Sequence, residues 1–462
     1  MGTLTLLLPD PARPDPPAGI RFAGGYDLAP LPIEIRAIPG TLTLERPEND
    51  SGFVMVPWPI GREQLVVSTA TLRQRPEPYR LAVELVRGKL NAIRNQTAEW
   101  SDIGLELPAL FRDRLATIGR RFGRAVVAED ATIADAESGQ ILVATHEIAD
   151  QLVESYTEQV FRTRHLSETR IRTAFGCQLK VAPKLGAEDE AYRRAFNACR
   201  LAPSWKEIEP VQGEFNWSGF DEVVGWALSA GLNVSIGPII DLRPGMLPDW
   251  LEEWHGDWTS LAAYACEFAE LVMVRYGERV GVWEVVNGFN HTVAAGLNED
   301  DRLRLAARLL DAARQIDKEG ELVVGLTQPW GEYRSEPNAN YSPLLFADTL
   351  LRAGIRAAAF ALDISELGPS ASPARDALEV VRLLDSFGVL GLQLELMMAA
   401  PTAGDRDATA RAARIAAVAA CMPHVKGVYW RDWSDEATGL YADGSPRPLF
   451  ERFESLRTSH LA

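Results

Sequence analysis

Cysteine is scarce in this chain of 462 residues: there are four, Cys177, Cys199, Cys266 and Cys421, far apart and with no C-x-x-C pair. Such spacing points to neither a disulfide framework nor a zinc site, so they read as small buried apolar residues. Histidine is nearly as rare, at six. No group of His, Cys and carboxylates has metal-ligand spacing and no glycine-rich phosphate loop follows a candidate strand, so neither metal nor cofactor is expected. Long apolar runs are missing too. None reaches 18 residues, which excludes a spanning helix and a membrane partner of that kind. The segment from Met1 to Pro17 has one short apolar run, Leu4 to Leu8, no basic leader and five prolines. It makes a poor secretory signal, and a cytoplasmic location is expected. Basic residues are outnumbered 47 to 64, a net charge of -17. Neutralising phosphates takes clustered Lys and Arg, so nucleic acid is not an expected partner.

Apolar residues, by contrast, make up 47% of the chain, enough for one large domain and a smaller one. Three zones differ in pattern. Residues 1–75 carry short β-type runs, such as Ile33-Glu-Ile-Arg-Ala-Ile, Thr41-Leu-Thr-Leu and Gln64-Leu-Val-Val-Ser-Thr, punctuated by Gly and Pro; they predict a β-rich accessory module. Residues 76–168 turn helical, with Val83, Val86, Leu90 and Ile93 on one stripe, and predict a helical connector.

From residue 169 to 462 short apolar runs alternate with amphipathic helices, the pattern of repeated βα units. Eight strands are predicted: Ala174 to Leu179, Ala198 to Ala202, Asn233 to Ile239, Val280 to Asn287, Leu322 to Thr327, Ala357 to Asp363, Leu390 to Leu396 and Val425 to Arg431. The helix through Leu305, Leu309, Ala313 and Ile316 has the clearest period, with Gly320 as its expected stop. Eight units in about 290 residues fit an α/β fold, a (β/α)8 TIM barrel preceded by the smaller β-rich and helical region. Such barrels bind ligands at the C-terminal ends of their strands. Site candidates are therefore Asp241, Asn287, Gly288, Glu332, Asp363, Glu366, Glu395, Arg431, Asp432 and Asp435, which predict a strongly acidic mouth.

The run Val282-Trp-Glu-Val-Val-Asn-Gly-Phe-Asn290 resembles the W-[DE]-V-V-N-E signature of glycoside hydrolase family 10, the xylanase-like retaining glycosidases, with Gly288 in place of the acid/base glutamate. Leu390-Gly-Leu-Gln-Leu-Glu-Leu-Met is similar to the family's nucleophile strand, Q-I-T-E-L-D. The segments Trp205 to Trp217, Leu247 to Trp250 and Gly427 to Pro448 resemble three further family stretches in the right order. The resemblance implies a barrel acting on a β-linked, xylan-like oligosaccharide, with Glu395 as nucleophile and Asn287 at the sugar 2-hydroxyl. Two departures fall at the sugar-binding end. The third strand, around Ile239 and Asp241, lacks both family histidines, and Arg200-Leu-Ala-Pro-Ser204 replaces the E-N-x-M-K run.

Retaining hydrolysis needs two carboxyl groups about 5 to 5.5 Å apart, and Gly288 supplies none. Glu284, four residues earlier on what the strand period makes the same face, falls roughly 13 Å toward the barrel floor and reads as structural. Glu332, between Trp330 and Tyr333, is the leading candidate for a relocated acid, because an apolar wall raises a carboxyl pKa; Asp363 and Glu366 come next, and a loop histidine, His291, last. Gln393 shares the inward face with Glu395. With Asn287 and Gln393, the expected substrate-binding set takes in Asp241, Arg431 and the tryptophans Trp250, Trp330 and Trp430, which with Trp433 stand at strand ends where flat rings can stack on sugars. Two readings remain: a glycosidase with Glu395 and a non-standard acid, and a carbohydrate-binding pseudoenzyme that has kept its cleft and lost turnover.

Overall fold

The computed structural model describes residues 2–9, 19–25, 28–291, 294–335, 339–366, 371–399, 405–434, 439–442 and 444–462; Asp435 lies outside them. The chain divides into two units.

The first unit comprises residues 1–163 together with two short segments from later in the chain, 331–338 and 373–382. Its β part is two four-stranded sheets. In one, Gly2–Leu7 pairs antiparallel with Thr41–Arg46, which pairs with Glu34–Ile38. Strict alternation places Leu4, Leu6, Leu42 and Leu44 on one buried face. In the other, Phe53–Ile60 and Glu63–Ser68 form a hairpin whose turn runs through Gly61 at φ +61°. Helix Leu81–Asp102 buries the expected stripe of Val83, Val86, Leu90 and Ile93. Gly88 lets it lie against the hairpin: a Cβ there would meet the Ser68 carbonyl oxygen at 2.1 Å. Helices Ala109–Val127 and Ala131–Arg164 complete the helical part. Within this unit Lys89 Nζ lies 2.5 Å from Asp376 Oδ2, with His146 Nε2 3.3 Å from the same oxygen, and all three side chains are buried.

The second unit is a closed barrel of eight parallel strands: β1 (Ala174–Leu179), β2 (Ala198–Leu201), β3 (Asn233–Ile236), β4 (Val282–Asn287), β5 (Glu321–Thr327), β6 (Ala359–Asp363), β7 (Gln393–Met398) and β8 (Val425–Trp430). Each pairs with its neighbour, and β8 closes the ring on β1 through Gly427↔Ala174 to Trp430↔Cys177. The fold class predicted from the alternating pattern is the one observed. Covered by side chains within and helices outside, the strands are almost wholly apolar runs. Between them, helix Glu299–Ile316 is capped by Asn298, whose side chain accepts from Asp301 N at 2.9 Å, and it buries Leu305, Leu309 and Ala313. Its end differs from expectation. The helix stops at Ile316, and Asp317 turns the chain by accepting from Gly320 N at 2.7 Å.

One irregularity positions the site. Between Glu284 and Val286 the register of β4 against β5 shifts by a residue. Glu284 and Asn287 therefore come to one face and line the same small cavity, above Gly325, where a Cβ would fall within 2.9 Å of both side chains. The expectation that Glu284 and Gly288 share a face is corrected by this bulge.

Candidate functional site

Inside the barrel three strands contribute a buried charge cluster. Arg200 of β2, fully buried, pairs through Nη1 with Glu284 Oε2 at 2.9 Å and through Nη2 with Glu395 Oε2. Its guanidinium also lies over the Tyr429 ring, 4.3 Å from the centroid. Burial works against its charge, but Glu395 and Glu284 outweigh that and raise its pKa. One guanidinium does not satisfy two carboxylates. Burial pushes Glu284 up, Arg200 pulls it back, Glu395 and Asp241 push it further, and it ends at about 7.

Glu395 is the residue expected to be the nucleophile, and its depth decides what it can do. It is third in β7, opposite Gly427 of β8 and Ala361 of β6, and 2% exposed. Its other carboxylate oxygen lies 3.6 Å from Lys426 Nζ. Lys426 stands near the N-terminal end of β8 and also pairs with Glu321, the first residue of β5, at 2.5 Å. The carboxylate thus faces the floor of the barrel. Two residues on, Met397 is level with Asp363 and lines the small cavity with Glu284 and Asn287; on β7 that cavity is offered a thioether.

Gly288 follows β4 at φ +78°, and a Cβ there would sit 3.1 Å from Arg243 Cγ and 3.3 Å from its backbone nitrogen. The backbone is left-handed and the space beside it is occupied by Arg243, so the position is built for glycine.

Above this layer a pocket of about 360 Å³ opens at the C-terminal ends of the strands. Its charged lining is Lys180, Asp241, Arg243, Asp363, Arg431 and Asp432. Arg243 grips Asp241 with Nε at 3.0 Å from both oxygens and Nη2 at 2.5 Å, and its Nη1 is 3.6 Å from Asp363 Oδ2. Arg431 binds Asp363 through Nη2 and Ser365 Oγ through Nε at 3.1 Å. Burial acts to raise the Asp363 pKa, but Arg431, Arg243 and Ser365 prevail and hold it below the usual carboxylate range. The mouth is therefore not the strongly acidic one expected; three basic residues match three acidic ones.

The other predicted site residues separate. Asp241 and Arg431 line the pocket, whereas Asn287 reaches only the cavity beneath. Gln393 opens β7 and is exposed at the strand's N-terminal end, away from the mouth. Glu332 belongs to the first unit, where its buried carboxylate is 2.7 Å from Arg375 Nη1. Glu366 is held by Arg411. Trp430 packs edge-on against Phe453 with centroids 5.3 Å apart, and Trp250 donates to the Glu209 carbonyl at 3.0 Å between Trp205 and Tyr264; neither lines the pocket, nor does Trp330. Trp433 and Trp205 do line it, both almost wholly buried. Arg243, Lys180 and Ser365 were missed. For Arg243 a signal existed: it sits two residues beyond Asp241, past the end of the third strand.

Comparison with known proteins agrees with the motif reading. The strand order and closed ring define a (β/α)8 barrel with a pocket at its C-terminal end. Residues 169–301 match the model of glycosyl hydrolase family 10, so this part of the barrel is similar to that family. The match covers β1 to β4 and includes Gly288, while β7 and Glu395 lie beyond it. Over 105 residues the chain is 30% identical to endo-1,4-beta-xylanase A of Fusarium oxysporum f. sp. lycopersici; this is 22% of the chain and spans only 29% of that relative's length. Among solved structures, xylanase 10B from Thermotoga maritima is 16% identical with a TM-score of 0.49, over 62% of this chain and 94% of that one. Xylanase 10B from Thermotoga petrophila RKU-1, solved in complex with xylobiose, is 18% identical with a TM-score of 0.48 over the same shares.

Proposed function

We propose that the barrel binds a β-linked saccharide in its mouth pocket and does not cleave it by the retaining mechanism. The observation that carries this reading is the clamp of Arg200 on Glu395, deep in the barrel and turned toward its floor. A nucleophile must reach an anomeric carbon from the pocket, and Glu395 lines neither the pocket nor the cavity below it. On the opposite side, Gly288 offers no proton and Glu332 is tied to Arg375. Asp241 and Asp363 reach the pocket, but the carboxylate of each is engaged by a guanidinium, Arg243 and Arg431 respectively. What favours a saccharide is the match of residues 169–301 to the family model together with a pocket at the ligand-binding end of the barrel whose lining combines charged residues with Trp205 and Trp433.

The test is a titration with xylobiose and longer xylo-oligosaccharides, followed by indole fluorescence, with product release assayed in parallel. Saturable binding without reducing-sugar release is expected. Release of shorter oligosaccharides by pure protein would overturn the reading.

A further inference from the structure

We infer that the saccharide taken by this pocket is acidic, carrying its carboxylate to the wall formed by Arg431 and Lys180. This deepens the saccharide reading and rests on it. Among the six charged lining residues the formal balance is even, but the free valences are not. Asp241 accepts from the Arg243 side chain on both oxygens and from the Arg243 backbone at 3.0 Å. Asp363 accepts from Arg431 and, at 3.0 Å, from Ser365 N. Both of these carboxylates are engaged, and Asp432, the third acidic lining residue, is not without a partner either.

On the basic side, Arg431 uses Nε and Nη2, which leaves Nη1 with no partner among the described residues. Lys180 is exposed and has no ion-pair partner among them. Arg243 Nη1 is beyond hydrogen-bond reach of Asp363 at 3.6 Å. Sugar hydroxyls need acceptors as well as donors, whereas a carboxylate only accepts. A pocket in which Asp241 and Asp363 are occupied, while Arg431 and Lys180 have donors to spare, suits an acceptor-only group, and a charge-assisted bond is the stronger kind.

The experiment compares a hexuronic-acid disaccharide with its carboxyl-reduced neutral counterpart, with xylobiose and with inorganic phosphate, by calorimetry at low and at physiological salt. The acidic disaccharide is expected to bind about tenfold or more tightly than its reduced form, with a marked salt dependence. In Lys180→Ala the preference for the acidic disaccharide over its reduced form should shrink, and Arg431→Gln should abolish it. Equal binding of the acidic and reduced disaccharides overturns the inference and leaves the saccharide reading standing. Binding of none of the sugars overturns both. Phosphate binding as tight as the acidic disaccharide overturns the carboxylate assignment in favour of a phosphate ester.

Discussion

Gly288 and Glu395 carry most of the functional argument, and each makes a separate forecast. Restoring the family residue by Gly288→Glu should not create a glycosidase. The side chain would start from a left-handed backbone against Arg243, at a cost of about 1–2 kcal/mol, readable as a lower Tm with no product release. Arg200→Met leaves two buried carboxylates facing each other, so a loss of about 3–5 kcal/mol in urea unfolding is expected. Glu284 adds a pH dependence. Its folded pKa of about 7 lies above its ordinary 4.5, so the folded chain holds the proton more tightly. Stability contributed by that proton is full below about pH 4.5 and falls as pH rises to 7, by on the order of 3 kcal/mol. Glu284→Gln should flatten the thermal-denaturation profile across that window. The sequence could not reveal the depth of Glu395. A period of two turns both Glu395 and Met397 inward, and only pairing with Ala361 and Gly427 fixes which one reaches the mouth.

At the scale of elements, the strands were legible because a barrel strand buried on both faces is a short apolar run bounded by turns. All eight were predicted within a few residues, and helix Leu81–Asp102 buried the four residues its stripe had named. Two features were not legible. The register shift in β4 has no composition signal, since Glu284-Val-Val-Asn287 reads as a regular strand, and it moved Asn287 onto the face of Glu284. The segment after β5 reads as a barrel loop, yet residues 331–338 pack with the first unit, where Glu332 meets Arg375. Glu332→Gln leaves Arg375 buried without its counter-charge, and a loss of roughly 3 kcal/mol is expected. Saccharide affinity and its pH profile should stay as they are in the parent; a shifted profile would restore Glu332 to the site.

For the whole molecule, the net charge of -17 and the cationic groups at the mouth act over different distances. Beyond about 8–10 Å salt screens the overall charge, so an anionic ligand is selected locally. No helix among the described residues is long and apolar enough to cross a membrane. The resemblance to the family was readable because its motifs recur in order at successive barrel strands, and residues 169–301 match the family model. The central claim is that this barrel, similar to family 10, presents no nucleophile able to reach a sugar among its described residues. Its most direct test is intact-mass analysis after incubation with a 2-fluoro β-glycoside bearing a dinitrophenolate leaving group, which traps a glycosyl-enzyme wherever a live nucleophile exists. An unchanged mass and no burst of phenolate are expected; a gain of one fluoroglycosyl unit, mapped to Glu395, would contradict the account.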